Sequence, residues 1–110
     1  MGAFISFENV SYTIRPNSAL RVGRAIDCDV RLIADPRVSR AHCLISNNNK
    51  VVTIADVGSK HGTTVNGVAV TSHPRVLEEG DLILIGDSQL VFHQYDDDDA
   101  SEETVSLRRK

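Results

Sequence analysis

The sequence predicts an all-β domain, and three observations carry that prediction. Ten short alternating or apolar runs recur between Phe4 and Gln94, and none holds a helical period over a window of about 11 residues. Turn-forming clusters separate the runs at intervals of roughly 8 to 12 residues, which is the rhythm of a β-sandwich or barrel. One turn is Asn66-Gly67, a pair that readily supplies the positive φ needed by a two-residue hairpin.

The first run is Phe4 to Phe7, and around it Ala3, Ile5 and Phe7 alternate with Phe4, Ser6 and Glu8. The start Met1-Gly2-Ala3-Phe4-Ile5-Ser6 formally fits the N-myristoylation pattern, but the alternation favours a first strand. Ser11 to Arg15 and Leu20 to Arg24 follow, divided by Arg15-Pro16-Asn17-Ser18. Val30 to Ile33 ends at Ala34-Asp35-Pro36, and Cys43 to Ser46 is separated from Val51 to Ala55 by Asn47-Asn48-Asn49-Lys50. Beyond Val57-Gly58-Ser59, the Asn66-Gly67 turn joins Thr63 to Val65 with Val68 to Val70. After Glu79-Gly80-Asp81, Leu82 to Ile85 does not alternate in polarity, which predicts a strand covered on both faces near the centre of the core. Gly86-Asp87-Ser88 then turns the chain into Leu90 to Gln94.

The 110 residues suffice for one core, and no apolar run approaches the roughly 20 residues of a membrane span. The net charge of −3 is unevenly spread, because residues 96–110 hold six acids and three bases, leaving nine of each in residues 1–95. Asp96-Asp97-Asp98-Asp99-Ala100-Ser101-Glu102-Glu103 is a self-repelling run that buries nothing. The folded domain is therefore expected to be residues 1–95, followed by a disordered acidic C-terminal tail or linker over 96–110. In the neutral body seven of the nine bases are Arg, six of them between Arg15 and Arg40. Arg offers a planar fork for bidentate anion binding, whereas Lys offers a point charge. Without a basic surplus, duplex nucleic acid is disfavoured, and the 5% aromatic content leaves little on which to stack bases.

Catalytic and metal chemistry find little support. Ser39 and His42 with an Asp would supply triad residue types, but no GxSxG elbow is present and a serine three residues from its base seldom gives triad geometry. His42, His61, His73 and His93 lack metal-ligand spacing, so no metal or cofactor is expected. Cys28 and Cys43 lack zinc-ligand spacing too, and read as packing thiols of a reducing intracellular compartment, cytoplasmic or nuclear. Gly58-Ser59-Lys60-His61-Gly62-Thr63-Thr64 lacks the Gly-Lys-Ser/Thr order of a nucleotide-binding loop and precedes a short strand rather than a helix.

What remains is a set of loops rich in phosphate-compatible donors: Val22-Gly23-Arg24, Arg37-Val38-Ser39-Arg40-Ala41-His42, and Gly58 to Thr63. Taken together, Gly23-Arg24, Ser39-Arg40-Ala41-His42, the stretch Asp56 to Gly67, Leu77-Glu78-Glu79-Gly80-Asp81 and Ile85-Gly86 resemble the forkhead-associated (FHA) domain signature in its order and spacing. The resemblance runs from about Leu20 to Phe92.

The resemblance implies a twisted eleven-stranded β-sandwich whose loops at one end bind phosphothreonine peptides, a signalling interaction module rather than an enzyme. By carry-over, Arg24 clamps the phosphate, Ser39 donates its hydroxyl, Arg40 adds charge, and Lys60 lies near the phosphate. Gly23, His42, Gly62 and Asn66 are implied to be structural, and Arg37 to read the third residue after the phosphothreonine. One position departs from the family pattern, since His61 stands where an Asn usually holds the peptide backbone. Imidazole cannot reproduce both amide functions at once, so the departure bears on peptide anchoring and not on the phosphate pocket. Two other readings stand beside this one: an FHA fold that binds its partner without phosphate, and a hydrolytic β-sandwich using Ser39 and His42. The chain is expected to be a monomer, with Thr104 in the tail a candidate phosphosite through which the domain would close on itself or dimerise.

Overall fold

A computed structural model describes residues 2–95 as eleven β-strands, with no helix among them. The tail expected from residue 96 onward, and Thr104 with it, lies outside the described residues. The strands are β1 (Gly2–Phe7), β2 (Val10–Thr13), β3 (Ser18–Gly23), β4 (Val30–Arg31), β5 (Cys43–Asn48), β6 (Val51–Asp56), β7 (Thr63–Val65), β8 (Val68–Val70), β9 (Arg75–Val76), β10 (Leu82–Ile85) and β11 (Ser88–Tyr95). They form a six-stranded sheet in the order β2-β1-β11-β10-β7-β8 and a five-stranded sheet in the order β4-β3-β5-β6-β9. All pairings are antiparallel except that of β3 with β4, where Gly23 stands opposite Arg31.

Period-two patterning builds the core. Ala3 and Ile5 of β1, Ile45 of β5, Val52 and Ile54 of β6, Ile83 and Ile85 of β10, and Leu90 and Phe92 of β11 are all buried in one cluster. Each such Val, Leu, Ile or Phe side chain contributes about 1.5–3 kcal/mol relative to exposure, which makes register costly to slip. The Asn66-Gly67 hairpin forms as expected between β7 and β8, with φ of 51° and 83°. Asn66 also ties it to β10, donating from Nδ2 to Asp81 Oδ1 and accepting the Leu82 N–H at Oδ1, both at 2.9 Å.

The strand covered on both faces is corrected by the structure. Only Ile83 and Ile85 of β10 are buried, while Leu82 and Leu84 are 40% and 38% exposed. β10 is central in its hydrogen bonding, between β11 and β7, but the six-stranded sheet has the core against one face alone. The short β9 went unread because two residues carry no measurable period. It is defined by its pairing of Val76 with Thr53 and Arg75 with Ile54.

Candidate functional site at the loop end of the sandwich

Three loops, following β3, β4 and β6, are bound to one another at one end of the sandwich. At the end of β3, a Cβ on Gly23 would fall 2.2 Å from the backbone oxygen of Arg40. Only glycine permits this approach, which lays segment 38–42 against the end of β3. His42 N–H donates to Val22 O at 2.9 Å, Arg24 N–H to Ser39 O at 3.0 Å and Ala25 N–H to Arg40 O at 3.1 Å. Arg24 Nε donates to Val38 O at 2.5 Å, which orients the side chain and leaves its terminal N–H groups uncommitted among the described residues.

Ser39 is set from two sides. Its Oγ accepts the Lys60 N–H at 2.9 Å, so one lone pair is occupied while the hydroxyl proton stays available to an incoming acceptor. Its own N–H donates to His42 Nδ1 at 3.0 Å, which places the imidazole proton on Nε2. Nε2 in turn meets Gly62 O at 2.9 Å, and the ring is fully buried. His42 thus braces the loop after β4 against the loop after β6.

The loop after β6 is folded around Asp56. Asp56 Oδ1 accepts the N–H groups of Gly58 and Ser59, both at 2.8 Å. Oδ2 accepts the hydroxyls of Ser59 at 2.5 Å and Thr63 at 2.8 Å. Ser59 Oγ then accepts the Gly62 N–H at 2.9 Å, and Gly58 and Gly62 take φ of +95° and +87°. Lys60 and His61 occupy the exposed tip of this loop.

A second carboxylate holds the loop after β4. The buried Asp35 accepts Arg37 N–H at 3.0 Å on Oδ1, and Asp87 N–H at 2.8 Å and the Ser88 hydroxyl at 2.6 Å on Oδ2. Arg37 Nε lies 3.7 Å from Asp87 Oδ1, an exposed and therefore weak pair.

Asp35 and Asp56 were not singled out from the sequence. The Asp-x-Gly-Ser spacing at residues 56–59 is an Asx-turn signal that identifies Asp56 locally. Asp35 joins Ser88 across 53 residues, and no local pattern reports that.

Both carboxyls titrate below the ordinary range. Burial pushes each upward, but for Asp35 the Ser88 hydroxyl and the Arg37 and Asp87 N–H groups outweigh it. For Asp56 the hydroxyl and N–H of Ser59, the Thr63 hydroxyl and the Gly58 N–H do the same. A carboxyl with a depressed folded pKa contributes stability above its unfolded value of about 3.9 and loses it as pH falls from there through the folded value. Melting temperature is therefore expected to be flat from neutrality to about pH 5 and to fall below about pH 4. Asp56→Asn, measured by thermal melts, is expected to lower stability at neutral pH and to make the acid-side decline shallower. An unchanged acid limb in that variant would remove Asp56 from the account.

Arg24, Ser39, Arg40, Lys60 and His61 are thus carried on mutually bonded loops, with Gly23, His42 and Gly62 inside the bonding that holds those loops together. Arg37 lies to the side, toward the β10–β11 turn, and Asn66 stands in the β7–β8 hairpin, bonded to β10.

Comparison with known proteins gives the same family from several directions. The family model described as FHA domain matches residues 20–86. The mouse proliferation marker protein Ki-67 is 34% identical over 87 residues, covering 79% of this chain and 3% of that protein. The FHA domain-containing protein FhaA of Mycobacterium tuberculosis is 35% identical over 85 residues, covering 77% of this chain and 15% of its own. The chain thus spans a small fraction of the length of these relatives. A domain solved in a structural and functional study of phosphothreonine-dependent FHA domain interactions superposes with a TM-score of 0.80 at 29% identity, over 87% of this chain and 99% of that one.

Proposed function

From the premise that this chain belongs to the FHA-domain family, we propose that residues 1–95 form a phosphothreonine-dependent peptide-binding module that mediates protein–protein interaction in kinase signalling. The observation that carries the reading is the state of Ser39 and Arg24. The Ser39 lone pair is taken by Lys60 N–H, and the Arg24 fork is steered by Val38 O. Both side chains keep donors for one incoming acceptor. A phosphate brings nearly two negative charges and three strong acceptor oxygens, which match this set together with Arg40.

Each residue then has a part. Arg24 binds phosphate oxygens through its terminal N–H groups, Ser39 donates its hydroxyl, and Arg40 and Lys60 add positive charge. His61 at the loop tip offers one hydrogen bond to the peptide where an amide would offer two. His42, Gly23 and Gly62 hold the loops in place. The reading is of binding rather than turnover: His42 Nδ1 is occupied by the Ser39 N–H, and among the described residues the Ser39 hydroxyl is bonded to the Lys60 N–H alone.

Calorimetry with a matched pair of peptides tests the reading. The phosphothreonine form is expected to bind at micromolar affinity, near −8 kcal/mol, and the unphosphorylated form to give no measurable heat. Equal affinity for the two would favour phosphate-independent partner binding instead.

Arg37 carries a specificity prediction. Its guanidinium is exposed and only loosely paired with Asp87, so an acidic third residue after the phosphothreonine can compete for it. An acid at that position is expected to add about 1 kcal/mol, read as a preference in a peptide library that Arg37→Ala removes. An unchanged library profile would leave Arg37 as a surface charge.

A further inference from the structure

Arg31 takes no part in the phosphate site described above, yet it is built onto that site's backbone. In the parallel β3–β4 pairing it stands opposite Gly23, and its Nε donates to the backbone oxygen of Arg24 at 3.2 Å. The guanidinium is therefore held beside the residue assigned to the phosphate. It is exposed, and among the described residues it has no acidic partner. By contrast, Arg21 is bonded to Asp27 at 3.0 Å and Arg37 lies near Asp87.

The same residue lines a cleft of about 460 Å³. Its walls come from the segment after β4, from the β1–β2 turn at Phe7 and Glu8, and from the β10–β11 turn at Asp87 and Ser88. Of the three acids there, Asp35 is engaged by its three donors and Asp87 is only loosely paired with Arg37. Glu8 has no partner among the described residues, and Arg31 is the one cationic residue in the lining, so an anion is favoured beside Arg31 and disfavoured beside Glu8.

Charge counting points the same way. One phosphothreonine brings about −1.5 to −2 charge, and Arg24, Arg40 and Lys60 already supply its counter-charge. Arg31 is a further fork, held at Nε and with no partner for its terminal N–H groups among the described residues, of the kind that suits a carboxylate or phosphate.

We propose that Arg31 forms a second anion subsite, which reads an additional negatively charged side chain, a carboxylate or a second phosphate, on the same phosphothreonine peptide. The proposal rests on the phosphothreonine reading above. The test uses the full chain and a set of phosphothreonine peptides in which Glu or phosphoserine is scanned through the flanking positions other than the third after the phosphothreonine, which is assigned to Arg37, compared with neutral residues. Wild-type protein is expected to bind the best anion-bearing peptide about tenfold tighter than the neutral one, with phosphoserine ahead of Glu if a second phosphate is the natural group. Arg31→Gln is expected to remove that gain while changing affinity for the neutral, singly phosphorylated peptide less than twofold. Equal loss for both peptides would overturn the proposal, since Arg31 would then act only by positioning Arg24. A gain that survives Arg31→Gln would overturn it too, and would move the second anion to another cation. If wild-type protein binds no phosphothreonine peptide at all, the underlying reading fails first, and the two failures are separate results.

Discussion

Arg24→Ala is expected to leave the fold intact and to abolish phosphothreonine-peptide binding. The side chain is exposed and contributes one hydrogen bond to the protein, to Val38 O, so little of the core depends on it. Its terminal N–H groups have no other partner among the described residues, and they are the donors that a bound phosphate would desolvate. Leaving such a charge without its fork costs about 2–5 kcal/mol. That corresponds to roughly 30-fold to several thousand-fold in affinity, and takes a micromolar complex out of the calorimetric range. Circular dichroism melts within a few degrees of wild type, alongside the binding loss, are the expected pair of results. Retained binding would mean that the partner is held elsewhere on the domain.

His42→Ala is expected to act in the opposite order, on stability first and on binding through it. The imidazole is fully buried and bonded at both nitrogens, to Ser39 N–H and to Gly62 O. Truncation leaves a donor and an acceptor unpartnered, at about 1–3 kcal/mol each, and opens a cavity besides. For a domain of this size a loss of about 3 kcal/mol lowers the melting temperature by roughly 12 °C or more. Binding by the fraction that remains folded is expected to weaken as well, because the Ser39 loop and the Gly62 loop lose their common brace. Thermal melts and peptide titration on one preparation read both effects. A His42→Ala protein that melts like wild type would show the brace to be dispensable.

The all-β class was legible in the local pattern, because period-two alternation and turn residues are properties of neighbours in the chain. Ile83 and Ile85 face the core, and Asn66-Gly67 closes a hairpin, for reasons contained in a few adjacent residues. The ordered motifs from Gly23-Arg24 to Ile85-Gly86 likewise pointed to the family, and the match over residues 20–86 bears that out.

Which groups face one another was settled only by the fold. The exposure of Leu82 and Leu84 depends on what covers the far face of a sheet, a fact about layers and not about a strand's own residues. Asp35 acquires its role from Ser88, and Arg31 its place from the backbone of Arg24, through sheet pairing and loop closure. Gly23 shows both sides of the division. Its identity was plain in the sequence, but the need for it lies in the Arg40 oxygen that a Cβ would meet at 2.2 Å, seventeen positions further along the chain. Local propensity acts over a few residues, whereas this site is made where segments distant in sequence exclude one another's atoms and share their hydrogen bonds.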